Sequence, residues 1–170
     1  MRNLVTILIL FSAATAATAG DNLIVPLEAN ELAKAHGCDQ VADYFDTHPT
    51  AEDPPYALIA GDYGKLQIAV WCVKRRAKPQ EQRSYTLLFR IDDTTHPLAK
   101  CPSELGGNQN IGGLRFIDVS DEVSRYYFVD TQKRIPGTGE LRTKGVESIY
   151  DGVGERYVCI GGRWAFRAFD

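Results

Sequence analysis

Side-chain chemistry has few starting points in this chain. His36, His48 and His96 are the only imidazoles in 170 residues. His48 and His96 each precede a proline and read as turn residues, and His36 near a helix end reads as a favourable terminal charge. The adjacent carboxylates Asp92 with Asp93, and Asp121 with Glu122, have the chemistry for sugar hydrolysis, which sets two carboxyl groups across the scissile bond. Neighbours on a strand point to opposite faces, however, so adjacency alone brings no such pair together. The metalloprotease, nucleophile-elbow, phosphate-loop and dinucleotide motifs are all missing. No catalytic residue and no cofactor is therefore assigned. An enzyme would have to assemble groups such as His36, His48, His96, Asp92 and Asp118 from separate strands.

Binding chemistry is better represented. Pro102 to Gly113 holds four glycines and the three amides Asn108, Gln109 and Asn110, which suits a loop that contacts a partner or a sugar. It lacks the lysine and following helix of a phosphate cradle. Arg156, Arg163 and Arg167 fall on one face of a C-terminal hairpin and could receive an acidic partner, or pair with Glu147 on a solvated sheet face. These six side chains are the candidate binding residues.

The cysteines, Cys38, Cys72, Cys101 and Cys159, are even in number and too widely spaced for a metal clip, so two disulfides are expected and no metal. Three pairings are possible. Topology weakly favours Cys38 with Cys159, clamping helix to sheet, and Cys72 with Cys101, holding down a long connection.

An oxidising compartment is also what the N-terminus implies. Arg2, the apolar run from Leu4 to Phe11 and Ala17-Thr18-Ala19 form a secretion signal, with cleavage expected after Ala19. The run is too short to span a bilayer, so no stable membrane insertion is expected after cleavage. Residues 20–170 then suit one domain. Of 19 basic residues only Arg2 lies in the signal, against 22 acidic ones, so the mature chain carries a formal charge of −4 and lacks the basic excess of a nucleic-acid binder. No Asn-x-Ser/Thr site occurs, which favours a bacterial periplasmic or secreted protein.

The elements that must position these groups divide into two regions. Residues 27–46 are rich in Ala, Glu and Leu and predict helix, with Gly37 ending a first segment and Cys38 to Asp46 offering a second. Thr47 to Pro55 is a proline-rich linker. From 56 to 170 the pattern is β. Leu66, Ile68, Val70 and Cys72 alternate onto one strand face, as do Tyr85, Leu87, Phe89 and Ile91, in a hairpin around the charged loop 74–83. Further strands are predicted at 114–119, 126–131, 146–150, 156–160 and 164–169. Tyr126 and Tyr127 should point to opposite faces, one of them into the core.

Two short turns set register. Gly161-Gly162 pairs Cys159 with Trp164, Tyr157 with Phe166 and Arg156 with Arg167, and Asp151-Gly152 pairs Val146 with Tyr157 and Glu147 with Arg156. The fold class is thus α+β, a short helical region on a mainly antiparallel sheet or partly closed barrel with two disulfides. The expected function is a non-catalytic module binding another exported protein, conceivably inhibiting an envelope or cell-wall enzyme. An envelope hydrolase or a small-ligand carrier are the alternatives.

Overall fold

The computed structural model describes residues 25–38, 40–41, 54, 56–60, 64–74, 84–108, 112–150 and 152–170. The predicted signal sequence, His48, and most of the proline-rich linker and of the charged loop lie outside the described residues.

Helix α1 spans Leu27–Ala35 and stops where glycine allows it to. Gly37 takes the left-handed conformation at φ 69°. The Cys38 N–H then returns to the Ala33 carbonyl and the Gly37 N–H to the Lys34 carbonyl, at 3.0 Å each. This cap ends the helix by satisfying its last carbonyls. Within the second helical segment predicted over Cys38 to Asp46, Gln40–Val41 is instead strand β1, paired with the end of β3, and residues 42–46 lie outside the described residues.

Nine further strands follow: β2 (Tyr56–Ala60), β3 (Leu66–Lys74), β4 (Ser84–Ile91), β5 (Glu104–Asn108), β6 (Gly113–Glu122), β7 (Tyr127–Phe128), β8 (Glu140–Tyr150), β9 (Val153–Ile160) and β10 (Arg163–Phe169). All described pairings are antiparallel. The first sheet runs β1-β3-β4-β5, with β2 on the same edge of β3 as β1; the second runs β6-β8-β9-β10-β7.

Burial of both faces of β3 explains the layering. Ala69, Trp71 and Val73 pack with Leu87, Phe89 and Leu105 against Leu114, Val146, Tyr157 and Trp164 of the second sheet. The alternate residues Ile68, Val70 and Cys72, with Leu88, receive Ala29, Leu32 and Ala33 of α1. On the outer face of the second sheet Val119, Val158 and Ala165 are covered by Tyr126 and Ile135 from the connection between β6 and β8. Gly145 makes this possible, since a Cβ there would lie 2.8 Å from the Tyr157 carbonyl and 2.9 Å from Val119 Cγ2.

The C-terminal registers are those the two turns predicted. Cys159 faces Trp164, Tyr157 faces Phe166 and Arg156 faces Arg167, and Val146 faces Tyr157 with Glu147 facing Arg156. Tyr126 is buried and Tyr127 half-buried, on opposite sides, although the strand there is only two residues long.

The barrel and the cysteine pairing are also corrected. The sheets do not close into a barrel. β5 lies at one edge of the first sheet and β6 at an edge of the second, and β6 pairs with β8, so no strand carries the ladder around. The cysteines pair Cys38 with Cys72 and Cys101 with Cys159, with Cα separations of 5.8 and 5.7 Å. β1 brings Cys38 beside the end of β3, whereas Cys101 precedes β5 and faces Cys159 across the two sheets. The helix-to-sheet clamp therefore exists, but through Cys72. Two disulfides fit an oxidising, extracellular environment. Among the described residues no helix is long and apolar enough to cross a membrane.

Candidate functional site

The two long seams of the sandwich differ. On one side the Leu114 N–H donates to the Pro54 carbonyl at 2.9 Å, joining the approach to β2 with β6. On the other, β5 stands at the edge of the first sheet opposite the turn 129–132 that follows β7, and a groove remains between them. Its upper end is pinned by the Cys101–Cys159 disulfide and by Trp164, whose Nε1–H donates to the Pro102 carbonyl at 2.8 Å.

β5 itself corrects the reading of Pro102 to Gly113 as a loop. Leu105 enters the core opposite Leu87, and that burial fixes a Gly-rich segment as a strand despite its poor intrinsic preference. A bulge follows: Thr86 faces Gly106 but Tyr85 faces Asn108, leaving Gly107 extra. The Phe89 N–H donates to the Ser103 carbonyl at 2.8 Å. Because backbone groups alternate in direction along an antiparallel strand, those of Gly106 are turned to the edge on which no other described strand pairs. Such an edge is a template for another strand.

Two cavities lie along this edge and share Leu105, Gly106 and Val129. The wider, about 360 Å³, is bounded also by Trp164 and by the Asp130–Arg163 pair. The narrower, about 150 Å³, reaches Trp71, Gln132, Glu155, Tyr157 and Phe166. Trp71 is fully buried, yet its indole Nε1–H finds no acceptor among the described residues. A buried unsatisfied donor costs about 1–3 kcal/mol and calls for an explanation. The Tyr157 hydroxyl donates to Glu155 in a short hydrogen bond. Gln132 has φ 54°, the one positive φ outside glycine among the described residues. It is braced by Nε2 donating to the Val129 carbonyl at 2.9 Å, and by its own N–H donating to the Phe128 carbonyl at 2.8 Å. An orphan donor, a backbone held in a sparsely populated region and an open strand edge thus meet at one place.

The predicted binding residues fall elsewhere or beside it. Asn108 ends β5, and Gln109 and Asn110 lie outside the described residues. Arg156, Arg163 and Arg167 share the outer face of the second sheet, as predicted, but each is engaged within the chain. Arg156 donates from Nε to Glu147 at 2.8 Å, and Arg115 reaches the same carboxylate at 2.6 Å. Glu147 is only 1% exposed. Asp121 accepts an ion pair from Arg167, with Arg156 and Arg125 both 3.8 Å away. Tyr126 lies close to this network, and burial raises its hydroxyl pKa. Arg163 grips Asp130, with Nη2 at 2.6 and 2.9 Å from the two oxygens, while stacking 3.9 Å above the Phe128 ring. The Arg163 hydrogen bond holds the Asp130 carboxyl below its usual range. This pair forms one rim of the groove.

Of the residues considered for catalysis, His48 lies outside the described residues, and His36, Asp92, His96 and Asp118 are not joined to one another by any described hydrogen bond. His36 Nδ1 lies 3.5 Å from Glu104, and Asp92 takes the guanidinium of Arg90 at 2.9 Å. His96 and Asp118 both line a cavity of about 250 Å³ on the closed side. There His96 Nδ1 accepts the Leu98 N–H at 3.3 Å and Asp118 pairs with Lys144. Burial lowers the His96 pKa. No described hydrogen bond joins two of these histidine and aspartate side chains, and no three metal-ligating side chains cluster among the described residues.

Trp71 and Gln132 were not singled out from sequence, and Gly106 only as one glycine of the segment Pro102 to Gly113. The available signal was β3 itself: Ala69, Trp71 and Val73 make its second face as apolar as its first, the mark of a strand covered on both sides. Comparison of the chain with protein-family models, with curated proteins and with solved structures finds no match.

Proposed function

We propose that this protein is a non-catalytic binding module of the periplasm or extracellular space, and that it receives an extended segment of another exported protein in the open seam beside β5. The observation that carries this reading is the β5 edge, on which no other described strand pairs, lying over a cavity whose floor holds an indole N–H with no acceptor among the described residues. Strand addition uses outward backbone groups for affinity and adjacent pockets for selectivity. Gly106 leaves room for it, since a Cβ there would meet nothing within 4 Å. Disulfide and core hold β5 and its opposing turn in place, so little ordering cost is left for the moment of binding.

The test is capture from native envelope extract with the oxidised protein, followed by amide hydrogen exchange on the purified complex. Protection confined to β5 and 129–132 is expected, and Gly106→Pro, which removes one outward donor at an edge position that tolerates proline, should abolish capture. A partner that binds equally well to Gly106→Pro and protects another face would refute the reading.

A further inference from the structure

We infer that the narrow cavity of the seam is a seat for a phenol, the side chain of a tyrosine on the segment added to β5; this rests on the strand-accepting reading above. Register gives the direction of entry. Trp71 faces Leu87 and Leu87 faces Leu105, and all three side chains belong to the core between the sheets. A residue paired with Leu105 on the other side of β5 continues that row and points the same way. It stands about 14 Å from the β3 backbone, three strand spacings, so serine and threonine are too short to approach Trp71 and a ring-bearing side chain is favoured.

Size and polarity then choose the ring. A cavity of about 150 Å³ is what one six-membered aromatic ring occupies. Leu105, Val129, Phe166 and the rings of Trp71 and Tyr157 line it; the Tyr157 hydroxyl is already engaged with Glu155, so only its ring serves as wall. The Trp71 Nε1–H is buried with no acceptor among the described residues, so an occupant that brings one gains a hydrogen bond. Phenylalanine and leucine fill space and leave that donor unpaired. Lysine and arginine carry no acceptor, and a carboxylate would give up its hydration for a single N–H. A phenol fills the cavity with its ring and accepts the indole proton at its oxygen. Its own proton has Oε1 of Gln132 on the same lining, where Gln132 Nε2 is already held by the Val129 carbonyl.

Three peptides, acetyl-Thr-Val-X-Val-Thr-amide with X as Tyr, Phe or Leu, and the free ligands p-cresol and toluene test this against the oxidised, 15N-labelled protein. The chain has two tryptophans, and Trp164 already donates to Pro102, so its indole signal serves as the internal reference. The tyrosine peptide should move the Trp71 indole proton downfield relative to the phenylalanine peptide, with a smaller difference at Trp164. It should bind about fivefold tighter than the phenylalanine peptide, the factor expected of one modest hydrogen bond, and p-cresol should exceed toluene by a similar factor. Trp71→Phe keeps an aromatic ring and removes the donor, and should erase both preferences while the ligands still bind. The comparisons on the unaltered protein decide the matter even if that variant does not fold.

A phenylalanine or leucine peptide binding as tightly as tyrosine, with exchange protection at Leu105 and Gly106, would overturn the phenol inference and leave strand addition standing. A Trp71 shift with p-cresol or the tyrosine peptide, without β5 protection by any peptide, would support the phenol site and refute strand addition. Failure of every peptide and of p-cresol to bind or shift Trp71 would overturn both.

Discussion

Removing the Cys101–Cys159 disulfide, as the pair Cys101→Ala and Cys159→Ala, should be the most destabilising change available at the seam. The bond closes a segment with a sequence separation of 58 residues. In the chain-entropy treatment a loop of that length limits the unfolded ensemble by about 4.2 kcal/mol. The Cys38–Cys72 bond, with a separation of 34, gives about 3.8 kcal/mol by the same reasoning. The two loops do not overlap, so their effects should add. Burial distinguishes them more than length: Cys72 is fully buried and Cys38 is 8% exposed, while Cys101 and Cys159 are each half-buried. Graded reduction should consequently open Cys101–Cys159 first. The assay is urea unfolding of wild type and the double variant, with mass spectrometry of alkylated protein following reduction. A loss under about 1 kcal/mol would refute the view that this bond supplies most of the constraint on the seam. Earlier reduction of Cys38–Cys72 would refute the burial argument.

Three other outcomes follow from described contacts. Glu147→Gln removes a buried carboxylate shared by two guanidinium groups and should cost about 3 kcal/mol in urea unfolding, toward the lower end for a broken buried pair because Arg115 remains half-exposed to water. Gly154→Ala sets a methyl against the far end of the Phe169 ring, its register partner, and should cost about 1–3 kcal/mol. Adding Phe169→Ala should make the combined loss smaller than the sum, read by thermal unfolding of the full cycle. Burial lowers the His96 pKa in the folded protein, so the unfolded chain takes up the proton first as pH falls. The stability contributed by neutral His96 is complete above the unfolded value near 6.5 and is lost as pH falls through the lower folded value; His96→Asn, which retains a cap for Leu98, should flatten that part of the urea midpoint against pH.

The legible parts of the sequence were those where local chemistry determines geometry. Two-residue turns left one choice of register, so Glu147 opposite Arg156 and Cys159 opposite Trp164 could be read directly. Gly37 announced the helix end. Beyond it, the composition of 27–46 taken as a whole argued for more helix, but Val41 pairs beside Cys72 on β3, a contact distant in sequence. The same limit applied to the cysteines, because spacing along the chain does not say which Cα atoms come within 6 Å. β5 was hidden by Gly-Gly-Asn, whose strand state is imposed by Leu105 entering the core. The seam was least legible: Trp71, Leu105, Gln132, Glu155 and Phe166 come from five separate segments. The arginine face was read correctly as a face, with Glu147 against Arg156, while its pairing with Asp121 and Asp130 joins segments far apart in sequence.

That face also acts as a check on strand alignment during folding. Arg115, Glu147, Arg156 and Arg167 stand in one row across four adjacent strands. If β8 slid two residues against β9, Glu147 would face Val158 or Gly154, and Arg156 would face Ile149 or Gly145. Apolar faces tolerate such a slip, because one aliphatic side chain replaces another at little cost. A carboxylate enclosed without its guanidinium does not, and a single-residue slip would turn it into the core between the sheets. The buried charges therefore penalise misaligned sheets more than they stabilise the native one, so replacing the row with matched apolar residues should yield a protein that is as stable but slower to reach a single register.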